Sequence, residues 1–139
     1  VNQPVYNMFN RYIEKEIIPL GERHGIGQVV FSPLAQGLLA GKYQSASDIP
    51  ADSRAAKIEW VRKSITEENI AKVRKLGEVA ADLGLTAAQL ALAWVLRQPN
   101  VASALIGASR PEQVEENAKA SGVTLPQEAL ERIEQILAE

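Results

Sequence analysis

The chain has no cysteine and a single histidine, His24. The first absence excludes a disulfide framework and any thiolate metal site, and the second excludes a multi-histidine metal centre. No metal-ligating residue is assigned. No apolar run approaches the length of a membrane span, and no basic, apolar and small-residue succession marks a signal peptide. The expectation is a cytoplasmic protein that does not bind membranes. A net charge of −2 gives no electrostatic attraction to nucleic acid, which is not expected as a partner. Internal repeats, low-complexity tracts and linkers are also missing. The 139 residues therefore read as a single segment, 1–139, long enough for one compact core.

What is present is an alternation of strand-like and helix-like segments. Val1 to Tyr6 reads as a strand that lacks its beginning, with no initiator Met. Tyr12, Ile13, Ile17, Ile18 and Leu20 recur at helical spacing, predicting a helix to about Arg23 with Gly25 as its left-handed terminator. Gln28 to Phe31 reads as a buried strand. From Gly37 to Ser64 the pattern weakens into an expected long loop. Thr66 is a helix N-cap, followed by an apolar stripe of Ile70, Val73, Leu76, Val79 and Leu83 that ends at Gly84. Thr86-x-x-Gln89 is a capping box, and Ser109-x-x-Glu112 with Pro111 reads as another. Val101 to Ile106 is a third strand, and a last helix follows Pro126. Strands separated by helices imply an α/β fold with a parallel sheet. Three strands are few for such a fold and leave apolar edges and a face that require cover.

Two strand ends stand out. Phe31-Ser32-Pro33-Leu34-Ala35-Gln36-Gly37-Leu38 turns sharply off one strand, and Ile106-Gly107-Ala108-Ser109 leaves another at a helix start. Such ends hold phosphate in α/β barrels. Together with Asn2-Gln3-Pro4-Val5-Tyr6-Asn7, the segment Gln89 to Leu96 and the run Arg110-Pro111-Glu112-Gln113-Val114-Glu115-Glu116-Asn117, they occur in family order. Nearly the whole chain resembles the C-terminal half of the aldo-keto reductases, in the branch containing potassium-channel β-subunits and related bacterial reductases. The resemblance implies a partial (β/α)8 barrel, corresponding to strands six to eight with their helices, and an NADPH cofactor.

It also implies roles. Gln3 matches the residue that bonds the nicotinamide carboxamide, and Phe31 the aromatic position that stacks on the nicotinamide ring. Ser32, Leu34 and Gln36 match positions that wrap the pyrophosphate through backbone N–H groups, while Pro33, lacking one, shapes the turn. Lys42 and Arg54 match basic residues of the loop over the cofactor. Gly107 permits close approach, and Ser109 matches the contact to the adenosine 2′-phosphate. Gln113, Glu116 and Asn117 match adenine and ribose contacts. Many members carry basic residues where this chain has Ala108 and Gln113; Arg110 is the candidate to compensate. Without the resemblance these are ordinary residues: a solvent-facing strand polar group, a core Phe, a strand-ending turn, solvated loop cations and an N-cap.

The implied reaction is hydride transfer from the nicotinamide to a small aldehyde or ketone, with a Tyr acid assisted by Lys, Asp and His. All four match positions before Val1, so no catalytic residue is assigned and the chain by itself is expected to be inactive. It is expected to self-associate or to pair with an N-terminal half-barrel partner, whether it is a fragment, a split subunit or a self-associating half-barrel. Two other functions stay open: a non-catalytic nucleotide-binding or regulatory subunit, and a purely structural half-barrel.

Overall fold

A computed structural model describes all residues, Val1–Glu139. The helices, in chain order, are α1 (Ile17–His24), α2 (Arg54–Lys57), α3 (Glu59–Ser64), α4 (Glu67–Asp82), α5 (Ala87–Leu96), α6 (Pro111–Ala118) and α7 (Gln127–Ala138). The strands are β1 (Gln28–Phe31), between α1 and α2, and β2 (Val101–Leu105), between α5 and α6; they pair in parallel. The fold is α/β, as expected.

The N-terminal segment is not the continuous strand its alternation suggested. It bridges β1 only at Asn2–Gln28 and Val5–Phe31. The cause is Pro4. Asn2 N–H donates to the Gly27 carbonyl, Val29 N–H to Asn2, Phe31 N–H to Pro4 and Tyr6 N–H to Phe31, a parallel ladder with one rung missing where proline has no N–H. Three extended segments thus lie side by side, with β1 in the middle.

The predicted helix over residues 12–23 is also divided. A 3-10 turn at Tyr12–Glu14 precedes α1, because Pro19 cannot donate to a carbonyl four residues back. Pro19 is tolerated in the first turn of α1, where N–H groups have no helical partner. Gly25 closes α1 in the left-handed conformation (φ 67°), as its sequence position predicted. Tyr12 and Leu20, counted on the apolar stripe, are exposed. The long loop predicted over residues 37–64 carries α2 and α3, short helices that bury Ala55 and Val61.

The caps at Thr66 and Thr86 form as predicted, with each hydroxyl accepting from the backbone N–H three residues on. Gln89 completes the second box by accepting from Thr86 N–H. Helix α5 then runs through the centre, burying every residue from Gln89 to Val95, and meets α4 at 86° across the turn at Gly84. It packs on β2, α4 and α6, while α7 lies on α4 through the buried Ala129 and Ile133. No single helix is long and apolar enough to cross a membrane.

Register sorts the sheet into two faces. Gln28 and Val30 point into the helical layer and are buried. Val5, Phe31 and Leu105 share the other face, where Phe31 is 44% and Leu105 43% exposed. That face and both outer strand edges lie open.

Beneath the sheet, a polar knot joins the N-terminal segment to α5. The Tyr6 hydroxyl donates to Glu14 Oε1 at 2.6 Å and accepts from Arg97 Nη1 at 3.0 Å. Arg11 grips Glu14 Oε2 through Nε at 3.0 Å and Nη2 at 2.8 Å. The Arg97 guanidinium lies 3.7 Å over the ring of the fully buried Trp94, which also packs on Tyr6 with centroids 5.3 Å apart. Burial, then the bond to Glu14, pushes the Tyr6 hydroxyl up to about 12. Burial alone pushes the Glu14 carboxyl up too, but hydrogen bonds from Arg11 and Tyr6 and the Arg11 charge hold it below the usual glutamate range.

Candidate functional site

Because β1 and β2 run in parallel, their carboxyl ends emerge side by side, and the loops that follow face each other across a cleft. The first loop departs from ordinary backbone geometry. Ser32, Ala35 and Gln36 all have left-handed φ values, 53°, 48° and 59°, without being glycine. Pro33 favours extended backbone for the residue before it, so the left-handed Ser32 runs against its local sequence preference. Each such residue costs on the order of 1 kcal/mol, so surrounding bonds must hold them. Ala35 N–H donates to Ser32, Gly37 N–H to Leu34 and Leu39 N–H to Leu34. Gln36 Nε2 donates to Ser32 Oγ at 2.6 Å. The N–H groups of Leu34 and Gln36 are left without an acceptor in the chain.

The cleft has a volume of about 540 Å³ and draws its walls from five places in the sequence. Ser32, Pro33, Leu34, Gln36 and Gly37 come from the first loop, and Gly107, Ala108 and Ser109 from the second. Lys42 and Asp52 come from the chain after that loop and Arg54 from the start of α2, Thr86 and Ala88 from the start of α5, and Gln113, Glu116 and Asn117 from α6. Arg54 spans the opening: one guanidinium nitrogen bonds Gln36 Oε1, and the other lies 3.2 Å from where a Cβ on Gly107 would sit. Lys42 lies against Gly37, and no carboxylate pairs with it.

Most of the residues singled out in the sequence therefore meet in one place. Three do not line the cleft: Gln3, Phe31 and Arg110. Gln3 is exposed and follows the sheet alternation onto the same open face as Phe31. Arg110 is exposed at the start of α6. The Ser109 cap is corrected: the N-cap of α6 is Arg110. The Gln113 side chain reaches back instead, its Oε1 accepting from Ser109 N–H at 2.8 Å, Ser109 Oγ at 3.2 Å and Arg110 N–H at 3.3 Å. Glu116 is held by Gln89 Nε2 at 2.9 Å and Lys119 at 3.1 Å.

Asp52, Thr86 and Ala88 line the cleft without having been picked out as site residues. Thr86 carried a signal of capping only, and Asp52 sits in a loop that gave no pattern at all. The cleft offers free backbone donors, Leu34 and Gln36 N–H among them, and two cations against the single unpaired acid, Asp52, a balance suited to an anionic ligand.

The chain matches the model of the Aldo/keto reductase family over residues 1–138. It is 44% identical over 143 residues to a probable voltage-gated potassium channel subunit beta of Arabidopsis thaliana, covering 99% of this chain and 43% of that protein. It is 41% identical over 146 residues to the L-glyceraldehyde 3-phosphate reductase of Escherichia coli (strain K12), covering 100% of this chain and 42% of that protein. Among solved structures, the glycerol dehydrogenase of Gluconobacter oxydans superposes with a TM-score of 0.83 at 32% identity, covering 98% of this chain and 41% of that one. The chain spans less than half the length of the relatives it matches.

Proposed function

Since the chain belongs to the aldo/keto reductase family, we propose that it is the NADPH-binding C-terminal part of a reductase of aldehydes or ketones, a partial (β/α)8 barrel. The observation that carries this is the cleft at the strand ends, with the unpartnered Leu34 and Gln36 N–H groups in its first loop and Lys42 and Arg54 beside them. Those donors and cations would hold the pyrophosphate. Ser109 and Arg110 would meet the 2′-phosphate, and Gln113, Glu116 and Asn117 the adenosine. Phe31 and Gln3, beside the cleft on the open sheet face, would meet the nicotinamide ring and its carboxamide. NADPH, when bound, supplies the hydride. The chain's own residues bind and orient it; the proton donor and the substrate pocket belong to the remainder of the barrel.

The test is titration of the purified chain with NADPH, followed by nicotinamide and tryptophan emission. Saturable change is expected. No change at millimolar cofactor overturns the proposal in favour of a purely structural segment. A second reading, a nucleotide-binding subunit without catalysis of its own, is favoured by the channel-subunit relative. Carbonyl reduction by the longest natural chain containing this sequence decides against that reading.

The open face needs cover in either case. In a complete barrel the cover is the other half; for this chain alone it is a second copy, whose Phe31 and Leu105 meet the same exposed apolar side chains. Sedimentation is expected to show concentration-dependent association. A dispersed monomer at high concentration overturns it.

A further inference from the structure

We propose that Asn7, which is not part of the cleft wall, is the positioning residue that fixes the Ser32–Gln36 loop and so sets cofactor affinity; the second clause rests on the cofactor reading above. Asn7 is only 4% exposed, and its side chain makes three hydrogen bonds. Its Oδ1 accepts from the N–H groups of Phe9 and Asn10, both at 2.9 Å. The backbones of Asn7 and Asn10 also bond each other in both directions at 3.1 Å. The result is a stiff turn at the end of the N-terminal segment. From it, Asn7 Nδ2 donates at 2.9 Å to the carbonyl of Ser32, 25 residues away.

That carbonyl is a critical handle. The Ser32–Pro33 peptide has no N–H, so its orientation can be anchored through the backbone only at its oxygen. The oxygen takes two donors, Asn7 Nδ2 and Ala35 N–H at 3.1 Å. The second belongs to the loop itself and moves with it, as does the tie from Gln36 to Ser32 Oγ. Asn7 is the side chain that reaches Ser32 from outside the loop. Three left-handed non-glycine residues follow from this peptide or sit beside it, and they relax unless held. The free Leu34 and Gln36 N–H groups keep their direction only while that geometry persists.

Asn7→Ala and Asn7→Asp test this. The aspartate keeps the acceptor that builds the turn and sets an anionic oxygen against the Ser32 carbonyl in place of the donor, while the alanine removes donor and acceptor without adding charge. Hydrogen exchange of the Ala35, Gly37 and Leu39 amides is expected to quicken about tenfold in both variants, while core amides such as Ile133 hold their rates. NADPH is expected to bind about tenfold more weakly, and adenosine 2′-monophosphate, which carries neither pyrophosphate phosphate, within about twofold of wild type. Loop amides exchanging at wild-type rates overturn the proposal, whether or not the wild type binds NADPH. Equal weakening of both ligands by Asn7→Ala overturns it as well, because that is general loosening. If the loop amides quicken and the wild type binds no NADPH, the positioning role stands and the cofactor reading fails.

Discussion

Glu14→Gln is expected to lower the thermal midpoint by about 10 °C, equivalent to roughly 3 kcal/mol for a domain of this size. The carboxylate is the single anion shared by Arg11, Arg97 and the Tyr6 hydroxyl, with only 21% of its side chain exposed. The amide removes the charge that two guanidiniums face, and it turns one acceptor into a donor aimed at other donors. The Arg97 guanidinium lies 3.7 Å over the Trp94 ring and has no other carboxylate, whereas Arg11 keeps a second partner, Glu134 at 2.6 Å. The knot also has an alkaline signature. A Tyr6 hydroxyl whose folded pKa is about 12, against an ordinary value near 10, keeps its proton over a range where the unfolded chain has lost its own. Its contribution is full below pH ~10 and is lost as pH rises to ~12. The midpoint of wild type is therefore expected to fall faster over that window than that of Tyr6→Phe. Thermal melts of wild type, Glu14→Gln and Tyr6→Phe at pH 7 and across the alkaline range measure both effects; a Glu14→Gln midpoint within a degree or two of wild type shows that the knot is not stabilising.

Gly21→Ala is expected to destabilise the chain by about 3 kcal/mol, at the upper end for overpacking. A Cβ there would lie 2.6 Å from Asn100 Nδ2, 2.6 Å from Gln28 Nε2 and 2.8 Å from the Ile26 carbonyl oxygen. The two amides could swing aside at the loss of their bonds, Asn100 Nδ2 to Ile26 at 2.9 Å among them, but the carbonyl is backbone and accompanies the entry to β1. In an exposed helix interior the same substitution would stabilise. Urea unfolding decides the sign: an unchanged or raised midpoint means that α1 shifts away from the strand entry at little cost.

Local signals carried the sequence reading well. Thr66 and Thr86 announce their helices because each cap lies three residues from its partner. Pro4 defeated the first strand, since alternation counts side chains and not the N–H a ladder requires. Helices α2 and α3 escaped because four and six residues do not complete an amphipathic repeat. Ser109 does not cap α6 because its hydroxyl donates to Gln113 Oε1, one helical turn on, instead of accepting from the helix. The two strand ends at the cleft were legible as candidate phosphate loops, while Lys42, Arg54, Gln113, Glu116 and Asn117 were picked out only through a family resemblance. The cleft walls are drawn from sites as far apart as Ser32 and Asn117, and nothing in the spacing of those residues reports that they meet. The Asn7–Ser32 and Tyr6–Arg97 bonds, across 25 and 91 residues, belong to the same class.

The Gln113 carboxamide has one more consequence. By occupying Ser109 N–H and Oγ and Arg110 N–H, it acts as a tethered competitor, always present and never diluted. An anion arriving at the start of α6 exchanges with this neutral acceptor instead of adding to vacant donors. Weakly accepting anions gain too little to displace it, whereas a phosphate, with charge-assisted bonds roughly twice as strong, can. A helix entrance without basic residues at Ala108 and Gln113 can in this way discriminate among anions by exchange, not by attraction.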